Sequence, residues 1–219
     1  MSLLYENTFE NETSLTKTYC FTRLFYLCAG LTTAPELPAT TITNCCYQEM
    51  FRSTSIVIAP ELPARIANAS CYQSMFSTCT LLTDAPSELP ATSLGGKCYQ
   101  SMFYQCSSLV NAPAILPAKI INDACYYQMF IGCTSLIKAP EIQASTTMSQ
   151  YSCQKMFQDC SSLNTVKCLI TTLASNSTTD WLRNVAANGT FIKAAEMTSW
   201  SSGRSGIPSG WTVVDYNPS

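Results

Sequence analysis

The stretch CYQSMFSTCTLLTDAPSELPA, residues 71–91, decides the fold, because it does not occur only once. Its opening block returns as CYQEMF ending at Phe51, CYQSMF ending at Phe103 and CYYQMF ending at Phe130, with looser copies CFTRLF ending at Phe25 and SCQKMF ending at Phe157. The phenylalanines are 26, 25, 27, 27 and 27 residues apart. A period of this length, varying by a residue or two, marks stacked repeats whose length changes fall in loops. Three residues after each Phe stands a small residue: Cys28, Thr54, Cys79, Cys106, Cys133 or Cys160. A leucine usually follows, and then a proline-bearing phrase: APELPA at 34–39 and 59–64, APSELPA at 85–91, APAILPA at 112–118 and APEIQA from Ala139.

Within CYQSMFSTC, Cys71, Met75, Phe76 and Cys79 fall at i, i+4, i+5 and i+8, which predicts the apolar stripe of a short helix. The Leu-x-x-Ala segment after it predicts a short strand, ended by prolines that have no N–H to give a ladder. One such unit cannot bury its stripe alone, but stacked copies can, Phe on Phe and Leu on Leu. The expected fold is therefore α/β: a right-handed, leucine-rich-repeat-like solenoid of about six rungs over residues 20–166. Residues 1–19 read as a truncated N-terminal capping repeat, since LYENTFENETSL (4–15) fits the frame but lacks the proline phrase. Residues 167–219 carry all three tryptophans and half of the eight glycines and read as a C-terminal α/β cap. There, Ser177, Thr178 or Thr179 would N-cap a helix through Trp181, Leu182 and Val185 that Asn188 and Gly189 terminate, with strands at 190–193 and 211–214.

Composition narrows the function. The chain of 219 residues is 47% hydrophobic and 12% charged, enough for a real core. Its longest aliphatic runs, such as 56–59, are far below the roughly 20 residues of a spanning helix, so no membrane insertion is expected. Twelve basic against fourteen acidic residues give a net charge of -2 and no footprint for a nucleic acid. The absence of histidine removes the usual general base, the common nucleophile pairs and the commonest metal ligand together. A non-enzymatic chain without cofactor or metal is the reading that follows.

The thirteen cysteines need another explanation. Two of them eight residues apart on a helix are about 12 Å from each other, and packed helices lie about 8–10 Å apart, beyond the roughly 7 Å limit for a disulfide. Thr54 and Ser152 occupy cysteine slots, and no C-x-x-C pair offers a zinc site. The thiols read as packing groups, with vicinal Cys45 and Cys46 and the isolated Cys168 as the places where that reading could fail.

Recognition requires variety where packing requires sameness. Two columns vary from copy to copy: Thr33, Ile58, Asp84, Asn111 and Lys138 beside the strands, and Arg52, Ser77, Tyr104, Ile131 and Gln158 after the helices. These are the positions where a partner is expected to touch, the alternative being tolerated drift of a solvated surface. Glu36, Glu61, Glu88 and Glu141 recur after Ala-Pro pairs, either as solvated turn positions or as an acidic row for a cation. Tyr47, Tyr72, Tyr99 and Tyr126 are expected to stack between helices with hydroxyls reaching water, the alternative being an aromatic strip for sugars or a partner protein.

The order C-x-x-L-x-x-A-P-x-L-P-A leading to C-Y-x-x-M-F-x-x-C resembles the Treponema-type leucine-rich repeat of BspA-like proteins, over roughly residues 4–166. In that family a C-x-x-L-x-x-I-x-L-P run leads into an A-F-x-x-C helix. Here the Met-Phe pairs at 75 and 76, 102 and 103, and 129 and 130 stand in the A-F place, and Cys79, Cys106 and Cys133 stand at the closing cysteine. The wording of the repeat and the SGIPSGWTVVD run ending at Asp215 are also similar to proteins of gut Bacteroidetes and of their phages. The resemblance implies attachment to a host protein or glycan at the cell surface. Its phage side implies the alternative, a tail or head decoration that contacts other virion subunits. No positively charged n-region and apolar h-region precede the array, so no secretory signal is expected in the chain.

Overall fold

Buried residues come in adjacent pairs: Cys71 and Tyr72, then Met75 and Phe76, then Cys79. Two in and two out is a strict period of four. A helix advances about 100° per residue, so this pattern would drift by about 80° between the two cysteines of one copy. The chain takes a different path. In the computed structural model, which describes residues 11–143 and 147–217, each copy is a run of tight turns in which one residue in four has left-handed backbone. In this copy these are Ser70, Ser74 and Thr78, at φ 54°, 54° and 60°.

Backbone donors alternate along the run. Met75 N–H donates to the Tyr72 carbonyl of its own copy (3.2 Å), while Ser74 and Phe76 N–H donate to Gln100 and Met102 of the next (2.8 and 3.0 Å). Successive copies are therefore cross-linked by hydrogen bonds, as parallel strands are, and left-handed runs beginning at Tyr19, Cys45, Ser70, Lys97, Ala124, Tyr151 and Asn176 enclose about six turns. The expected solenoid is present, but its α/β class and helical rungs are corrected: among the described residues there is no helix, and the fold is a parallel β-solenoid. A helix would bond its N–H groups beyond the first four inside its own segment and leave side chains to join the rungs. Here half of the donors do that joining, which offsets the roughly 1–2 kcal/mol that each non-glycine left-handed residue costs.

The side chains stack accordingly. Phe25, Phe51, Phe76, Phe103, Phe130 and Phe157 form one column with ring centroids 5.3–5.7 Å apart and planes within 14°. Phe21, Tyr47, Tyr72, Tyr99 and Tyr126 form a second, at 5.6–6.1 Å. Fully burying one such ring contributes about 1.5–3 kcal/mol, so the columns dominate the core.

Short strands complete each turn. One parallel sheet joins β1 (Ile66–Ala67), β2 (Ser93–Leu94), β4 (Ile120–Ile121) and β6 (Thr147–Met148). The other runs β3 (Ile115–Leu116), β5 (Glu141–Ile142), β7 (Thr165–Cys168), β8 (Gly189–Ala194) and β9 (Trp211–Tyr216). The strand expected at Leu-x-x-Ala shrinks to single-residue bridges, Ile58 to Asp84 to Asn111 and Lys138 to Thr165.

The C-terminal cap is also corrected. Its expected helix is another copy of the turn run: Ser177, Thr178, Trp181 and Leu182 are buried in the same pairs, Asn176, Asp180 and Asn184 take φ 56–60°, and Phe157 N–H donates to the Trp181 carbonyl at 2.9 Å. Trp-Leu in place of Met-Phe, and the loss of both cysteines, hid this copy in the sequence. The two strands expected near the C-terminus are β8 and β9. Trp200 lies flat on Trp181 at 5.2 Å, and Trp181 Nε1–H donates to the Gly206 carbonyl at 2.8 Å, closing the stack. The N-terminal capping copy lies largely outside the described residues. No described helix is long and apolar enough to cross a membrane.

Close approach fixes one glycine. A Cβ on Gly95 would stand 2.7 Å from the Asn68 carbonyl carbon of the preceding turn, and closer still to the Ala69 nitrogen. Gly95→Ala is expected to cost about 1–3 kcal/mol, measured by urea unfolding, because backbone and not a flexible side chain must yield.

Candidate interaction surface

The proline phrase makes an open edge. Leu37, Leu62 and Leu89 point into the core with Ala39, Ala64 and Ala91, while Glu36, Glu61 and Glu88 are exposed and Pro35, Pro38, Pro60, Pro63 and Pro90 are half-buried at the edge. Between the first two phrases lies a groove of about 530 Å³ lined by Thr33, Pro35, Glu36, Pro38, Ile58, Pro60, Glu61 and Pro63. Two smaller depressions, of about 260 and 240 Å³, continue it past Arg65, Glu88, Pro90 and Pro117. Glu61 and Pro63 are shared with the first groove, and Arg65, Glu88 and Pro90 between the other two, so the three form one track.

The first variable column borders this track. Thr33 and Ile58 line the groove itself, and Ile58 is 63% exposed. Ile58, Asp84 and Asn111 sit side by side through their bridges, with Lys138 exposed farther along, bridged to Thr165. Asp84 accepts hydrogen bonds from the Thr83 hydroxyl (2.5 Å) and the Asn111 amide (2.6 Å), which hold its carboxyl below the usual range.

The second column does not form a face. Ser77 and Ile131 are buried, 4% and 7% exposed, and interrupt it. Arg52 is occupied structurally: it bonds Glu49 at 3.0 Å and lies over the Tyr26 ring at 5.7 Å, with Arg23 bonding the same carboxylate. Tyr104 and Gln158 are half-buried, and Gln158 spends its amide on Asp159 (3.0 Å).

Other candidates resolve individually. Glu61 accepts the Ser87 N–H at 3.0 Å, Glu141 pairs with Lys167 at 2.9 Å, and Glu36 and Glu88 are exposed. Among the described residues no group of three or more acidic, cysteine or histidine side chains converges as a metal site would. The repeat tyrosines stack inside the molecule. The Tyr72 hydroxyl is buried without a hydrogen-bond partner, contrary to the expectation that these hydroxyls reach water.

Sequence reasoning missed Arg65 and the outward aliphatics of the strands after the prolines, Ile66, Ile115 and Ile120, which are exposed. The available signal was an apolar residue alternating with buried Ala67, Leu116 and Ile121.

All thirteen cysteines are free. Their slot has a specific use: Cys79, Cys106, Cys133 and Cys160 each donate S–H to the phenylalanine carbonyl of the preceding copy, at 3.0–3.1 Å. Burial pushes Cys106 and Cys133 well up and Cys160 and Cys168 to about 12. Iodoacetamide at pH 8 is expected to label the native protein at exposed Cys28 and at half-buried Cys20 and Cys45, and the 79–160 column only on unfolding, as peptide mapping would show.

No protein-family model matches the chain, and no curated protein or solved structure is significantly similar to it.

Proposed function

We propose that the chain is a non-enzymatic interaction module that attaches to a host protein or glycan at a cell surface. The observation that carries this reading is the proline-edged track, bordered on one side by the copy-to-copy variation at Thr33, Ile58, Asp84, Asn111 and Lys138. The likeness of the repeat to BspA-like proteins points the same way. Proline and isoleucine walls with Glu36, Glu61 and Glu88 along them suit an extended protein segment with basic side chains better than a sugar. The repeat tyrosines that would stack on a sugar are buried.

Binding of the purified protein to host-cell surfaces and to arrayed surface proteins and glycans tests the proposal. Ile58→Asp places a charge on an exposed groove wall without emptying the core, and is expected to weaken binding at least about tenfold with the unfolding midpoint unchanged. Binding that survives both Ile58→Asp and Glu88→Lys would move the ligand off this surface.

A second reading, a virion decoration, is favoured by β9. It ends its sheet with no strand beyond it among the described residues, and it exposes Val213 and Val214. A six-residue open edge is a template for a neighbouring subunit. Incorporation into particles that Val213→Lys abolishes would decide for it.

A further inference from the structure

The cross-linked rungs remove the distance objection to bonds between cysteines of neighbouring copies. Strand-like neighbours stand about 4.8 Å apart, inside the range of Cα separations that a disulfide spans. Cys20 and Cys46 are such neighbours: Phe21 N–H donates to the Cys46 carbonyl (2.9 Å), Tyr19 N–H donates to Asn44 (3.2 Å), and the Phe21 and Tyr47 rings stack. They occupy the same slot of adjacent rungs, each one residue before a stacked ring, and each thiol shifts the ionisation of the other. The Cys46 sulfur also accepts from the Thr43 N–H (3.3 Å) and lies 3.1 Å from the Thr43 hydroxyl. Cys98 and Cys125 repeat the arrangement three turns on, but both are fully buried, whereas Cys20 is half-exposed.

We propose that Cys20 and Cys46 form a redox-active dithiol, oxidised to a disulfide between the first two described rungs by small-molecule disulfides of the glutathione class. Cys20 meets the reagent. Its sulfur attacks one sulfur of the small disulfide, the S–S bond breaks, and the first small thiol leaves with the proton. Cys46 then attacks the Cys20 sulfur of the mixed disulfide and displaces the second thiol, so two cysteines lose two electrons and one disulfide becomes two thiols. In the reduced pair the hydrogen bond from Cys20, against the opposing effect of burial and with help from Thr43, lowers Cys46 to about 6 and raises Cys20. Cys46 therefore takes the Cys20 proton as Cys20 attacks and passes it to the departing thiol, and Thr43 then supports the Cys46 sulfur in the second step. Closing a loop of this length stabilises the folded state, here by a rise of roughly 5–10 °C in the unfolding midpoint.

The test is native protein incubated with oxidised glutathione and read by intact-mass spectrometry and peptide mapping. The expected product is a loss of about 2 Da and a Cys20–Cys46 cross-link, reversed by dithiothreitol. Cys98→Ser is expected to leave it intact, Cys46→Ala to stop at a single glutathione adduct on Cys20, and Cys20→Ala to form neither. A stable adduct on Cys20 of the unaltered protein, a bond from Cys20 to Cys45, or no reaction at Cys20 would overturn the proposal.

Discussion

Phe103→Ala is expected to lower the unfolding free energy by about 3–5 kcal/mol, the range for removing a fully buried aromatic ring. Phe103 is stacked on Phe76 at 5.6 Å and on Phe130 at 5.3 Å, so truncation breaks two ring contacts and leaves a void that neither neighbour can fill without leaving its own register. The void lies between turns whose spacing is held by Phe103 N–H to Met129 (2.9 Å) and Phe76 N–H to Met102 (3.0 Å). Those bonds limit collapse, which places the cost toward the upper end. Tyr104→Ala, at the next residue and half-buried, is expected to change stability by about 1 kcal/mol or less. Urea denaturation of both variants measures the contrast.

Ser74→Pro is expected to cost about 3 kcal/mol or more, while Ser74→Gly is neutral or stabilises by up to about 1 kcal/mol. Ser74 holds φ at 54° and its N–H donates to Gln100 at 2.8 Å. Proline can supply neither the angle nor the donor, and glycine reaches the angle freely. In a helix the glycine variant would instead lose about 1 kcal/mol, so the sign of its effect separates the two backbones for one and the same repeat. Thermal unfolding followed by tryptophan fluorescence reads it, since Trp181 and Trp200 are stacked at the end of the array.

Much of this was legible in the chain. The recurrence of Cys-Tyr-x-x-Met-Phe-x-x-Cys fixed which residues stack on which, and the Phe and Tyr columns follow it position by position. The helix was misread because i, i+4, i+5 and i+8 fit one face of a short helix nearly as well as a period of four. What that stripe leaves out is the buried Tyr beside each Cys, at i+1, which completes the two-in, two-out pattern. Of the two variable columns, the one at Thr33 and Ile58 borders a groove, because prolines deny the chain a ladder beside it. The other is broken by Ser77 and Ile131, whose side chains turn inward.

Sequence by itself determined that the molecule is a stack of like turns, since identical apolar residues at a fixed interval can be buried only by one another. Tertiary structure decided where the backbone hydrogen bonds go. The same N–H groups could have closed within each segment or reached to the next, and side-chain pattern alone does not choose. Stacking the rings at 5.3–6.1 Å brings neighbouring backbones close enough to bond, and that proximity settles the choice for the left-handed turn and against the helix.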